Sequence, residues 1–372
     1  LAAAPDAAAA LAGYEPPQPQ YQALKAALAR LRNSAEQPEV VAIPDGPALK
    51  TGSRGERVAL LRTRLAVPAD AASDATLYDA ALARAVEAFQ AAHRLHVDGI
   101  AGPATIAKLN PTTRAEEIAG IIVNMERWRW MPRDMGTFHV FVNVPEFKLR
   151  IVKAGETTFE TRVVVGKPTN QTPLFSNAID HLVVNPYWNV PTSIVSKEML
   201  PEIQSDPSGY FARRGYQVLA RAGGQMRVVR PDTIDWTAID VRSLRIRQPP
   251  GEENALGRIK FMFPNQFSVY LHDTPLKSLF KRDIRAFSHG CVRVDDPLAF
   301  ADAVLAFEPE WNAARLQKLY GGPERRINLT KSIPVHLAYF TMEADGDGVV
   351  HRFSDLYGID AKMQAALGIL AK

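Results

Sequence analysis

The chain holds one cysteine, Cys291, in the run Arg285-Ala286-Phe287-Ser288-His289-Gly290-Cys291-Val292-Arg293-Val294. Nineteen residues earlier, a predicted strand ends in a histidine, within Val269-Tyr270-Leu271-His272-Asp273-Thr274-Pro275. A free thiol has a pKa of about 8.5 and is mostly protonated at neutral pH. A neighbouring imidazole can take that proton and make the sulfur a good nucleophile for acyl carbonyls. Gly290 lets the backbone turn tightly and bring N–H groups toward a reacting carbon, as an oxyanion hole requires. These are the parts of covalent acyl transfer. A lone cysteine is more often a buried, inert small hydrophobe; the His-Gly-Cys turn and the strand-end histidine turn the reading toward catalysis. A papain-like peptidase would place its histidine after the cysteine, as His336 and His351 are placed here, but neither sits in a comparable motif.

Elements must bring these groups together. The chain has 372 residues, 47% apolar and 23% charged, which suits a folded protein of two or three domains. No apolar run reaches the ~18 residues of a membrane span. The net charge of +4 is too weak to argue for nucleic acid and compatible with an anionic cell-wall polymer. One cysteine allows no intrachain disulfide and leaves the compartment open. The chain starts at Leu1 without a basic and apolar leader, so a signal or anchor was either removed or never present.

Residues 1–48 read as Ala/Pro/Gln-rich linker around one helix with Leu24, Leu28 and Leu31 at helical spacing. Residues 49–110 read as three short helices on one small core, with His93 and His96 as surface histidines lacking a third ligand for a metal. Residues 111–135 read as a helical segment. From residue 136 the period becomes two, as in Phe138, Val140, Val142 and Val144, and a β-rich, sandwich-like domain is expected to residue 372. Its strands include a late hairpin of 335–341 with 349–353, turned by Asp345-Gly346-Asp347-Gly348. Calcium there is disfavoured because position 12 of the loop is Leu356. Residues 193–247 interrupt the strands as a helical and irregular insertion, either a cap over a site or a solvated loop. The fold class is thus α+β and multidomain.

Two resemblances sharpen this reading. The blocks "G-x-R-G-x-x-V-x-x-L-x-x-x-L", "A-V-x-A-F-Q" and "D-G-I-A-G-P-A-T-I-A-K-L-N" in residues 49–110 resemble the peptidoglycan-binding domain family. His272, the Ser288-His289-Gly290-Cys291 run and Arg293 resemble the signature of the L,D-transpeptidase catalytic domain, with no departure at the core motif. The segments 185–191, 247–257 and 261–265 resemble the large periplasmic branch of that family, which carries a peptidoglycan-binding domain and a capping insertion.

The resemblance implies a tetrapeptide donor stem with diaminopimelate at its third position and an acceptor diaminopimelate amine. The product is a 3→3 cross-link made through a Cys291 thioester, with release of D-Ala. It also implies acylation by carbapenems, no cofactor, and a Gram-negative periplasmic location. Cys291 would be the nucleophile and His272 the general base, oriented by a backbone carbonyl such as that of Asp273. The N–H groups of Gly290 and Cys291 would form the oxyanion hole. His289 would brace the turn, Arg293 would bind a stem carboxylate or brace the loop, and Ser288 and Tyr270 would line the site. Trp188 and Asn189 resemble channel residues, or serve the core. An L,D-carboxypeptidase using water, and a non-catalytic wall-binding scaffold, are the competing readings.

Overall fold

The computed structural model describes residues 13–34, 41–44, 46–68, 74–93, 95, 97–110 and 112–369. His96 and parts of the first 48 residues lie outside them. Five helices come first: α1 (Pro19–Asn33), α2 (Glu56–Arg64), α3 (Ala80–Ala92), α4 (Pro103–Leu109) and α5 (Arg114–Trp130). The chain divides into two compact units, residues 25–122 with 367–372, and residues 1–24 with 123–366.

The first unit is built on α2, α3 and α4. Val58, Leu61, Tyr78, Leu82, Val86, Ile106 and Leu109 close one small core. Asp79 caps α3, its carboxylate accepting from Leu82 N at 2.8 Å and pairing with buried Arg62 at 2.6 Å. Gln90, almost fully buried, ties α3 to the turn that starts α4. Its Oε1 accepts from the backbone of Asp98 (3.1 Å) and Gly99 (3.0 Å), and its Nε2 donates to Ile100 O (3.0 Å). Pro103 then occupies the first turn of α4, where its missing N–H has no helical partner to lose.

The second unit is a sheet that closes on itself. Its strands are β1 (Phe138–Asn143), β2 (Lys148–Lys153), β3 (Glu156–Gly166), β4 (Phe175–Val184), β9 (Ile259–Met262), β10 (Leu271–His272), β11 (Ala286–Ser288), β12 (Val292–Val294) and β13 (Arg325–Ala338). Pairing runs β3-β12-β10-β9-β4-β13-β1-β2, and β2 pairs back onto β3, while β11 adds to the end of β3. Val140, Val142, Leu149, Val163, Val165, Leu182, Phe261, Leu271, Val292 and Val294 fill the interior. Burying each such side chain contributes roughly 1.5–3 kcal/mol.

The insertion is a folded cap. Its sheet comprises β5 (Trp188–Asn189), β6 (Gln217–Ala222), β7 (Gln225–Val229) and β8 (Leu244–Gln248) in the order β5-β8-β6-β7. A helical stretch, Thr192–Ser205, is interrupted by one π-helical turn at Val195–Met199. Val195, Met199, Ile203, Tyr210, Phe211, Val218, Trp236 and Ile246 give the cap its own apolar core.

The late hairpin differs from expectation. Residues up to Ala338 belong to β13, between β4 and β1, and the hairpin is β14 (Met342–Ala344) with β15 (Val350–Arg352). The alternation of 335–341 is that of a strand inside the large sheet, so periodicity alone paired it with the wrong neighbour. Asp345 organises the turn, accepting from Asp347 N (3.1 Å) and Val349 N (2.9 Å).

Replacing Gln90 by leucine leaves two backbone donors of the α3–α4 turn without an acceptor. Amide hydrogen exchange at Asp98 and Gly99 should accelerate by about two orders of magnitude, corresponding to about 3 kcal/mol of lost local stability.

Candidate active site

Strand register places the chemistry. In the parallel pair β10–β12, Leu271 faces Val292 and His272 faces Arg293; in the antiparallel pair β10–β9, His272 faces Lys260. Paired residues share a face and neighbours along a strand alternate. Leu271, Val292 and Phe261 therefore point into the core, at 0–1% exposure. The opposite face carries Tyr270, His272, Cys291, Arg293 and Lys260. Cys291 and His272 are diagonal neighbours on adjacent strands, a relation that brings Cβ atoms to about 7 Å. Val292 N donates to Tyr270 O at 3.1 Å, which holds the two strand ends together beside the thiol.

The turn before Cys291 is shaped by Ser288 and Gly290. Gly290 has φ +116°, a conformation that side chains resist. Buried Ser288 donates its Oγ–H to Cys291 O at 2.5 Å and accepts from Gly290 N at 3.1 Å. This narrows the expected oxyanion hole. The Gly290 N–H is committed to Ser288, whereas that of Cys291 donates no hydrogen bond among the described residues. His289 turns away from the thiol and donates from Nε2 to Glu198 Oε1 of the cap at 2.7 Å.

His272 is buried, and its Nδ1 donates to Asp273 O at 2.5 Å. That bond fixes the tautomer and leaves Nε2 to take a proton. The Asp273 backbone is itself pinned through its carboxylate, which accepts from Arg258 N (2.8 Å), Thr274 N (2.7 Å) and Lys277 Nζ (2.8 Å). Gly257 makes room for it: at φ +60° a Cβ there would lie 2.3 Å from the Asp273 carboxyl group.

Burial decides the resting charges. The partly buried Cys291 thiol is pushed up to about 11, against the pull of the Tyr270 backbone N–H and the Arg293 charge. His272 is driven down to about 3, by burial first and then by the charge of Arg293, with that of Lys260 adding to it. Both effects disfavour ions, so the pair rests as thiol and neutral imidazole. Burial also raises the Tyr270 hydroxyl, and its ring meets that of His272 at 5.7 Å. Arg293 lacks any hydrogen-bond partner for its Nε among the described residues.

Trp188 and Asn189 do not join this row. They form β5 of the cap, where Trp188 packs on the cap core with its ring 6.0 Å from that of Tyr216. Their backbone lies in a different sheet from Cys291 and His272. The supports at Gly257, Arg258 and Lys277, the cap's Glu198, and Lys260 escape a reading of the sequence, because only long-range pairing brings them here. Among the described residues no group of three or more His, Cys, Asp or Glu could hold a metal ion.

Residues 137–326 match the L,D-transpeptidase catalytic domain, and residues 54–109 match a peptidoglycan-binding domain. The chain belongs to the L,D-transpeptidase family. A Haemophilus influenzae protein assigned as an L,D-transpeptidase is 35% identical over 268 residues, covering 69% of this chain and 51% of that protein. The chain thus spans about half the length of this curated relative. An L,D-transpeptidase from Mycobacterium smegmatis is similar at 13% identity and TM-score 0.26, over 54% of this chain and 58% of that one. The catalytic domain of an Enterococcus faecium L,D-transpeptidase acylated by ertapenem is similar at 14% identity and TM-score 0.26, over 55% and 98%. At such scores, membership rests on the sequence matches.

Two outcomes test the geometry. Alkylation of Cys291 by iodoacetamide should rise with a midpoint near pH 11, because the thiolate form is the one disfavoured. Full reactivity already at pH 6 would mean a resting thiolate–imidazolium pair. Gly257→Ala should displace the Asp273 carboxylate and lower stability by about 1–3 kcal/mol. It should also shift the downfield Nδ1 proton resonance of His272, measured by NMR alongside thermal unfolding.

Proposed function

We propose that the protein is an L,D-transpeptidase that joins peptidoglycan stem peptides through a Cys291 thioester. The observation that carries this is the register of β10 and β12, which sets a thiol diagonally across from an imidazole whose Nδ1 is already committed to a carbonyl. In the first half-reaction His272 Nε2 takes the thiol proton as Sγ attacks the carbonyl of the third residue of a tetrapeptide donor. The Cys291 N–H faces the developing oxyanion. His272 then gives the proton to the departing amine, terminal D-Ala leaves, and a thioester remains. In the second half-reaction the diaminopimelate side-chain amine of an acceptor stem loses its proton to His272 and attacks the thioester. The product is a 3→3 cross-link, and the thiol is restored.

Because both partners rest uncharged, no stable ion pair has to be broken before attack; proton transfer accompanies bond formation. Arg293, whose Nε has no hydrogen-bond partner among the described residues, is assigned a donor stem carboxylate. Ser288 holds the turn and Tyr270 lines the site. The Glu198–His289 bond ties the cap to the nucleophile's loop. The peptidoglycan-binding unit would retain the enzyme on its polymeric substrate, carbapenems would act as acylating donor mimics, and a substrate of this kind places the protein in the periplasm.

The test is incubation with a disaccharide-tetrapeptide followed by mass spectrometry. The expected product is a cross-linked dimer lacking one D-Ala. Free tripeptide as the only product would instead mark an L,D-carboxypeptidase, and an unchanged donor would mark a scaffold. His272→Ala should slow turnover by about 10²–10⁴-fold, the range of a lost general base. Cys291→Ser should form no adduct with a carbapenem while its thermal unfolding remains close to wild type.

A further inference from the structure

Lys260 has no role in the reaction as described, yet it stands directly across from His272 on β9. Across three adjacent strands the order on one face is Arg293 on β12 with Cys291 just before that strand, His272 on β10, then Lys260 on β9, each strand about 4.8 Å from the next. Lys260 is partly buried, and among the described residues its side chain forms no hydrogen bond or ion pair. Glu324, a carboxylate near enough to be felt, accepts instead from Tyr187 N at 2.8 Å. The ammonium lies 5.9 Å from the centre of the Tyr270 ring, which stabilises a cation without neutralising it. Removing an ammonium from water without an anionic partner is unfavourable. On the other side of the row, β4 offers Val183 opposite Lys260, which supplies no counter-charge.

The order of these groups matches the order of atoms in a donor peptide. The carbonyl carbon must lie at Cys291 Sγ. The departing nitrogen must lie at His272, which protonates it. The α-carboxylate of the departing residue is attached one carbon beyond that nitrogen, so it extends past His272 and away from Cys291. Lys260 is the cation on that side.

We infer that Lys260 anchors the C-terminal carboxylate of the residue the enzyme expels, and thereby limits cleavage to the last bond of the donor. This rests on the transpeptidase reading above and adds a specificity determinant to it. A peptide that continues beyond the scissile bond presents a neutral amide where the ammonium expects a carboxylate. Such a donor leaves the partly buried Lys260 without the carboxylate it would pair with, a penalty that discriminates between otherwise similar ligands.

The experiment compares two tetrapeptide donors, one ending in a free acid and one in a carboxamide, by the rate at which Cys291 of the full chain is acylated in intact-mass measurements. Wild type should prefer the acid by about tenfold or more, the range of a charge-assisted hydrogen bond. Lys260→Met should bring the acid-to-amide ratio close to one by slowing the acid alone. Lys260→Arg should restore much of the preference. Thermal unfolding of each variant close to that of wild type checks that it is folded. A wild-type ratio near one, or a full ratio retained in Lys260→Met, overturns the anchor while leaving the transpeptidase assignment standing. Acylation of wild type by neither donor overturns both. Should Lys260→Met fail to fold, the wild-type ratio and Lys260→Arg still decide.

Discussion

The hydrogen bond from His272 Nδ1 to the carbonyl of Asp273 is the constraint on which the site depends. A neutral imidazole has one donor and one acceptor, and which nitrogen is which follows from the first bond it makes. A residue's own strand end supplies the acceptor here, so the tautomer is set by backbone that is itself immobilised. The Asp273 carboxylate does the immobilising, through Arg258 N, Thr274 N and Lys277 Nζ. Of these, two are backbone donors and one is a long side chain bridging to Asp295 O at 2.8 Å. The carboxylate acts as a staple between the end of β10 and the loop leading into β9. A side-chain triad is unnecessary because a carbonyl this firmly held orients the ring equally well.

The closed sheet explains why so short a strand suffices. β10 contributes only two residues, Leu271 and His272, yet it is bonded on both sides, to β9 and to β12. Leu271 is sealed in the core between Phe261 and Val292, so its neighbour must face the other way. The same alternation fixes Cys291 and Arg293 against Val292 and Val294. Apolar burial on one face of three strands thus aims the polar groups on the other, and a slip of one residue would send the imidazole into the core and Leu271 into the site. Packing and catalysis are opposite sides of the same register.

Cys291, His272 and Gly290 stood out as candidates in the sequence because they sit in one short motif and one strand end. The three helical blocks of residues 49–110 were legible for the same reason: each carries its own turn residue and its own stripe. Lys260, Gly257 and Glu198 were not, since their meaning comes from strands and a cap that meet them from far along the chain. Nothing in the sequence singles out Lys260, and only the pairing of β9 with β10 sets it beside an imidazole. That the Gly290 N–H donates to Ser288 was not legible, because sequence shows that a tight turn exists but not which donors the turn uses for itself. Trp188 and Asn189 reveal another gap. A tryptophan flanked by β-formers predicts burial without saying in which of two cores, and here it is that of the cap.

Desolvation links these features. Taking Cys291 and His272 out of water disfavours the thiolate–imidazolium pair that an exposed Cys–His couple would form. A resting neutral thiol is a poor target for stray electrophiles and oxidants, because those reactions need the thiolate. On the proposed mechanism the same burial would strengthen every interaction made with an acyl donor: the Cys291 N–H with an oxyanion, and the cations at Arg293 and Lys260 with carboxylates. The charges of both cations also hold His272 neutral. Carboxylates arriving beside them would lift that restraint and make the imidazole a better acceptor at the moment the thiol has something to attack. On the proposed mechanism reactivity would in this way be tied to occupancy without any movement of the sheet, and the cap, joined to the turn through Glu198 and His289, would have only to admit the donor and exclude water around it.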